Sequence, residues 1–153
     1  MIFVLSQSKG LKRCDFKEIE SLIWEEQNAS KGRFISGVDI GHYLKKLKQS
    51  AEFVKKYSGD TLSGFIAFYC NDPTQKAAFI TLVLLNDKFR GKGIASELLK
   101  DVLAVCDERG FQYCELEVEK DNFGAIRLYE KHGFSIYEKN DTKYRMRTQF
   151  YEE

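Results

Sequence analysis

The chain has 153 residues and a formal net charge of +1, with 24 Lys and Arg against 23 Asp and Glu. That length fits one domain, long enough to bury about two-thirds of the surface its unfolded chain exposes. So even a charge balance gives no electrostatic footing for nucleic acid or an anionic membrane surface. Apolar runs fall well short of the ~18 residues of a membrane span. Met1 to Leu5 is too short for a signal-peptide core and has no basic leader. A cytoplasmic protein is expected.

Four cysteines, Cys14, Cys70, Cys106 and Cys114, form no C-x-x-C pair and have only two histidines to join them. No metal site is expected. Cys70, Cys106 and Cys114 lie in apolar segments and read as free, buried thiols, which suits a reducing compartment.

In chain order, Met1 to Leu5 reads as an added edge strand. Phe16 to Trp24 and Ile40 to Lys48 have helical periodicity, and Gly32, Gly37 and Gly41 break the stretch between them. Glu52 to Tyr57 reads as a short strand, followed by the turn Ser58-Gly59-Asp60. Leu62 to Cys70 and Ala77 to Leu85 read as a hairpin around Asn71-Asp72-Pro73-Thr74. From Ile94, apolar residues recur at Leu98, Leu99, Val102, Leu103 and Cys106, predicting a helix that stops near Arg109 and Gly110. Tyr113 to Glu119 alternates as a strand, with Glu115, Glu117 and Glu119 on one face and Cys114, Leu116 and Val118 on the other. Asp121 or Asn122 can cap a helix running to His132. Phe134 to Glu138 and Tyr144 to Phe150 finish as strands around Lys139-Asn140-Asp141. The order predicts an α/β fold, a mixed sheet with helices on both faces.

Between the strand ending at Leu85 and the helix opening at Ile94 lies Arg90-Gly91-Lys92-Gly93-Ile94-Ala95. Such a glycine-rich turn gathers backbone N–H groups and the positive end of a helix at one point, where a phosphate belongs. Gly91 and Gly93 let the backbone approach it. Arg90 and Lys92 either assist or are simply solvated.

Downstream stand Leu116-Glu117-Val118, Asn122-x-x-Ala125 and Leu128-Tyr129-Glu130-Lys131-x-Gly133-Phe134. With Arg90-x-x-Gly93-x-Ala95 before them, over roughly Gly64 to Met146, the set resembles the GCN5-related N-acetyltransferase superfamily. Within it, the second half is most similar to the ribosomal-protein N-terminal acetyltransferases. The resemblance implies one acetyltransferase domain, residues 1–60 giving the acceptor-side helices and first strands and 61–153 the acetyl-CoA-binding core. It implies acetyl-CoA as co-substrate, its pantetheine arm paired with the main chain of Val83, Leu84 and Leu85. The N–H of Leu85, or one close to it, would polarise the thioester carbonyl. The pyrophosphate would lie on Arg90, Gly91, Lys92, Gly93, Ile94, Ala95 and Ser96, and Asn122 would bond the pantetheine arm. Tyr129 is the implied proton donor to the departing thiolate. Glu117, twelve residues earlier, is the implied base for an amine that is otherwise protonated at neutral pH. Ala95 stands where many members carry glycine, and Asp87 where a proline is often found.

Plainer readings stand beside these. Tyr129 can be an aromatic packed on the sheet, Asn122 a helix cap, and the three glutamates a solvated face, with Glu115, Glu119 or a water chain serving as base instead. His132 reads as a cation in the last helical turn without catalytic role, and His42 as a surface residue. The basic stretch His42 to Lys48 is either a solvated face or the wall of an acceptor pocket. The acceptor is a small amine, an amino sugar, an amino acid or a protein N-terminus. A non-catalytic acyl-CoA sensor or scaffold would need neither Tyr129 nor Glu117. A dinucleotide-binding fold is disfavoured because a hairpin precedes the loop. Strand edges near the C-terminus leave room for a homodimer.

Overall fold

The computed structural model describes residues 15–150, so the expected strand at Met1 to Leu5, and Cys14, lie outside the described residues. Four helices and six strands follow in the order α1 Asp15–Ala29, α2 Ile40–Ser50, β1 Glu52–Ser58, β2 Thr61–Tyr69, β3 Ala77–Leu85, α3 Ile94–Glu108, β4 Tyr113–Glu119, α4 Phe123–Lys131, β5 Ser135–Lys139 and β6 Lys143–Gln149. The sheet order is β1-β2-β3-β4-β6-β5. Only β3 and β4 run parallel, with α3 as their crossover; the other neighbours are antiparallel. The mixed sheet expected from the element order is therefore the one observed.

Most boundaries fall within a residue or two of the pattern. The exception is α1, which runs past Trp24 to Ala29 through polar residues that carry no apolar period. Gln27 in that extension accepts from the N–H of Ile35 (2.8 Å) and donates to its carbonyl (2.9 Å), clipping the following loop to the helix. Phe134 closes α4 rather than opening β5, since its N–H donates to the Tyr129 carbonyl at 3.0 Å.

Two apolar layers sandwich the sheet. On one face α3 and α4 pack Leu98, Leu99, Val102, Cys106 and Tyr129 on Ile66, Phe68, Ile80, Leu116 and Met146. On the other, Ile19, Ile23, Leu44 and Leu47 of α1 and α2 pack on Phe65, Ala67 and Leu84. Strand β2 is buried from Leu62 to Phe68 because it faces both layers. Cys70, Cys106 and Cys114 are free and buried, as expected. The Cys70 and Cys106 thiols are pushed well up, Cys70 first by its hydrogen bond with Cys106 and Cys106 first by its hydrogen bond with Cys114, so neither is a ready nucleophile. No helix among the described residues is long and apolar enough to cross a membrane.

Candidate active site

Strands β3 and β4 pair at Ala77–Tyr113, Ala78–Cys114 and Phe79–Glu115 and no further, although β3 continues to Leu85 and β4 to Glu119. A bulge starts the divergence. Ala67 of β2 faces Leu82 and Phe68 faces Ile80, so Thr81 is the extra residue that bends β3. The Tyr43 hydroxyl of α2 fits there, 3.1 Å from Thr81 Oγ1 and donating to the Thr81 carbonyl at 3.4 Å. Burial raises its phenol pKa despite that bond. Tyr43 was legible in the sequence only as part of a basic helix face.

The direction of the free edge follows from one hydrogen bond. The N–H of Asn86 donates to Ser63 of β2 at 2.8 Å. Main-chain groups alternate along a strand, so Leu84 also turns its N–H and carbonyl toward β2, opposite Phe65. Val83 and Leu85 turn theirs into the gap. Of the three strand residues named from the sequence, two are on the open edge.

At the end of that edge stands the N-terminus of α3. Its N-cap is Gly93 (φ 79°), which offers no capping side chain, and the first intrahelical bond is from Glu97 to the Gly93 carbonyl, 3.2 Å. The N–H groups of Ile94, Ala95 and Ser96 therefore have no intrahelical partner. Gly91 and Gly93 both sit at positive φ, and a Cβ on either would meet nothing within 4 Å. The space in front of the loop is open. Arg90 is a brace: it pairs with Asp87 (2.8 Å) and with Glu26 of α1 (3.1 Å) and donates to the Leu85 carbonyl at 3.2 Å. Lys92 lies 5.8 Å over the Phe89 ring. Ser96 Oγ lies 2.7 Å from His132 Nε2, joining the start of α3 to the end of α4. The sequence suggested a cation at His132. Instead burial holds its imidazole below the ordinary value, helped by Lys100 and Lys131, which disfavours the cation.

Asn122 is the N-cap of α4, accepting from the N–H of Ala125 at 3.3 Å. Tyr129, two turns on, is 7% exposed and packs on Phe134 with ring centroids 5.9 Å apart. Burial pushes its phenol up to about 12. Its hydroxyl has no hydrogen-bond partner among the described residues.

The three glutamates of β4 have three different fates. Opposite them in register stand Arg147, Arg145 and Lys143 of β6. Glu115 is 8% exposed and is gripped by Arg147 through both Nε (2.9 Å) and Nη2. The Arg147 guanidinium is itself stacked between Tyr113 and Tyr137, 4.1 and 4.0 Å from their centroids. Glu119 meets Lys143 at 3.8 Å. Glu117 is exposed and has no ion pair or hydrogen bond among the described residues. It lines a cavity of about 220 Å³ with Glu138, Lys139, Asn140, Lys143, Tyr144 and Arg145. The β6 cations escaped notice in the sequence, although Lys143, Arg145 and Arg147 carry the same period of two as the glutamates.

Glu117 and Tyr129 thus approach from opposite sides of the sheet. Tyr129 belongs to the α3/α4 layer with Leu116 and Val118, whereas Glu117, one residue on from Leu116, faces the other way. Between the two faces lies the gap bounded by Val83 and Leu85.

The family model for the Acetyltransferase (GNAT) family matches residues 16–134. N-alpha-acetyltransferase 30 of Schizosaccharomyces pombe is 36% identical over 66 residues, 43% of this chain and 44% of that enzyme. The matched stretch is less than half the length of that relative. The crystal structure of a Pyrococcus horikoshii protein superposes with a TM-score of 0.72 at 27% identity, covering 94% of this chain and 95% of that one. A GNAT family acetyltransferase from Elizabethkingia anophelis, solved with acetyl-CoA bound, shares the fold with a TM-score of 0.63 at 18% identity over 71% of this chain and 82% of that one.

Proposed function

The chain belongs to the acetyltransferase (GNAT) family, and from that premise we propose that it moves an acetyl group from acetyl-CoA to a primary amine by direct attack in a ternary complex. The observation that carries the reading is the gap between β3 and β4, with the edge of Val83 and Leu85 turned into it, the Leu85 carbonyl met by Arg90, and running to the uncapped N-terminus of α3. A pantetheine arm has alternating amide donors and acceptors that suit a strand edge, and a pyrophosphate suits the helix terminus. The main chain of the loop from Gly91 to Ser96 takes the phosphates, while Arg90 fixes the loop to α1.

In the transfer, Glu117, directly or through water, removes a proton from the acceptor ammonium. The amine nitrogen attacks the thioester carbonyl carbon, an N–H of the β3 edge holds the developing oxyanion, and the C–S bond breaks as the C–N bond is kept. The second amine proton leaves to solvent and the sulfur takes up one. Tyr129 is the donor to that sulfur. With its phenol at about 12 against a thiol near 8.5, complete proton release runs uphill, so its main contribution is a hydrogen bond to the charge as it forms. The same dry surroundings raise the thiol pKa and narrow the difference.

A non-catalytic acyl-CoA sensor is the second reading. Against it stands the presence of both Tyr129 and Glu117, neither of which a sensor would need. A cytoplasmic setting, and pairing of two copies through the exposed outer strand β5, belong to the same proposal.

Thermal unfolding with acetyl-CoA, using AMP as control, tests it. At 100 times the dissociation constant the expected gain is about 2.7 kcal/mol, or roughly 5–10 °C. A shift with acetyl-CoA and none with AMP supports the reading. No shift with either overturns it.

A further inference from the structure

We infer that the acceptor is a small amino acid, its ammonium held by Glu117 and its carboxylate by Arg145 across the β4–β6 ladder. The inference rests on the acetyltransferase reading and adds the substrate class to it. Three cross-strand pairs of opposite charge face one another on this side of the sheet: Glu115–Arg147, Glu117–Arg145 and Glu119–Lys143. Directly opposed side chains stand within easy reach of each other, and the two outer pairs do join. The central pair does not. Glu117 has no ionic partner, and Arg145 has only Glu115 at 3.9 Å, with the Phe79 ring 5.8 Å from its guanidinium carbon.

Arg145 makes no hydrogen bond among the described residues, although a guanidinium carries five N–H donors, and its Nε is buried without a partner. The unpaired Glu117 and this guanidinium, whose one ionic contact is the 3.9 Å approach to Glu115, line the same cavity of about 220 Å³. A carboxylate is the group that a free guanidinium binds best, often through two parallel bonds, and an ammonium is the group that a free carboxylate takes. Lys139 adds a second cation at the rim, where it suits an acceptor with a carboxylate, while Lys143 is already met by Glu119. The cavity is smaller than the ~300 Å³ lower bound of drug-sized sites, which favours a free amino acid over a larger amine. Glu117 lies on β4 beyond its last residue paired with β3, so an amine seated on it adjoins the gap assigned to the thioester.

The experiment follows thiol release from acetyl-CoA with L-amino acids, their amides and the amines left on removing the carboxylate. Amino acids are expected to exceed both sets by about tenfold or more in kcat/KM. In Arg145→Met that ratio should fall to about one while acetyl-CoA affinity holds, and Arg145→Lys should restore part of it. Equal rates for acids and amides, or a preference that survives Arg145→Met, overturn the inference. So does faster acetylation of peptide N-termini than of any free amino acid. Should Arg145→Met not fold, the acid-to-amide ratio of the unaltered protein decides, with Lys139→Met at the exposed rim expected to reduce it. Acetyl-CoA bound without preference for acids sinks the substrate class alone, whereas failure to bind acetyl-CoA sinks the acetyltransferase reading itself.

Discussion

Strand β4 meets β6 along all seven of its residues and meets β3 along only three. On the β6 side the main chain is fully laddered, and charged side chains add a second layer of pairing. On the β3 side the later half of the strand offers unpaired main chain. Unmet N–H and carbonyl groups inside a sheet cost about 1–3 kcal/mol each unless water or a ligand meets them. One strand is thus fastened along one edge and left as the lip of a slot along the other. The contrast separates two roles: substitutions in the outer charge pairs of the β6 edge, Glu115–Arg147 and Glu119–Lys143, should act on folding, and those on the β3 edge on the cofactor.

The largest expected effect is Tyr129→Phe, with kcat for thiol release falling roughly 10²–10⁴-fold. Calorimetry should find acetyl-CoA affinity unchanged, because the lost hydroxyl has no hydrogen-bond partner among the described residues. Glu115→Ala should cost about 1–3 kcal/mol in urea unfolding by freeing the Arg147 guanidinium, again at constant acetyl-CoA affinity. An equal loss of affinity there would erase the distinction between the two edges. Gly64→Ala sharpens it from the opposite direction. Its Cβ would sit 2.4 Å from Leu85 Cδ2 and 3.0 Å from the Leu84 carbonyl oxygen. About 1–3 kcal/mol of overpacking is expected, and because the strain falls on the free edge of β3, acetyl-CoA should bind more weakly as well.

A pH effect comes next. The Tyr129 phenol, raised from 10.0 to about 12 by burial, holds its proton more tightly in the folded state than in the unfolded one. Its contribution to stability is intact below the unfolded value and is lost as pH rises through the folded value. Tyrosinate absorbance of the native protein minus that of Tyr129→Phe should therefore show this phenol ionising after the exposed tyrosines, and activity should not fall at pH 9 on its account. Arg90→Gln is the smallest change, below about 1 kcal/mol, since its ion pairs with Glu26 and Asp87 are partly exposed. An affinity loss with a changed salt dependence would make Arg90 a phosphate contact as well as a brace.

Where an apolar run bounded by a turn, or strict alternation, is strong, the fold was legible: β3 and β4 run over Ala77–Leu85 and Tyr113–Glu119, as their patterns predict. The loop, the Asn122 cap and the buried Tyr129 were also readable, because each depends on neighbours within a turn or two. What escaped depends on partners far along the chain. Arg90 meets Glu26, 64 residues away, and no local pattern announces it. Glu115 is buried, unlike Glu117 on the same face, because the Arg147 guanidinium covers it from a strand 32 residues on. The gap itself begins at a one-residue bulge at Thr81, which nothing in the continuous apolar run of β3 marks.

Amide hydrogen exchange with and without acetyl-CoA tests the two-edged strand most directly. New protection is expected at Val83, Leu85 and Ile94 to Ser96, with the β4–β6 ladder unchanged. Protection confined to the ladder, or none along β3, would contradict the account.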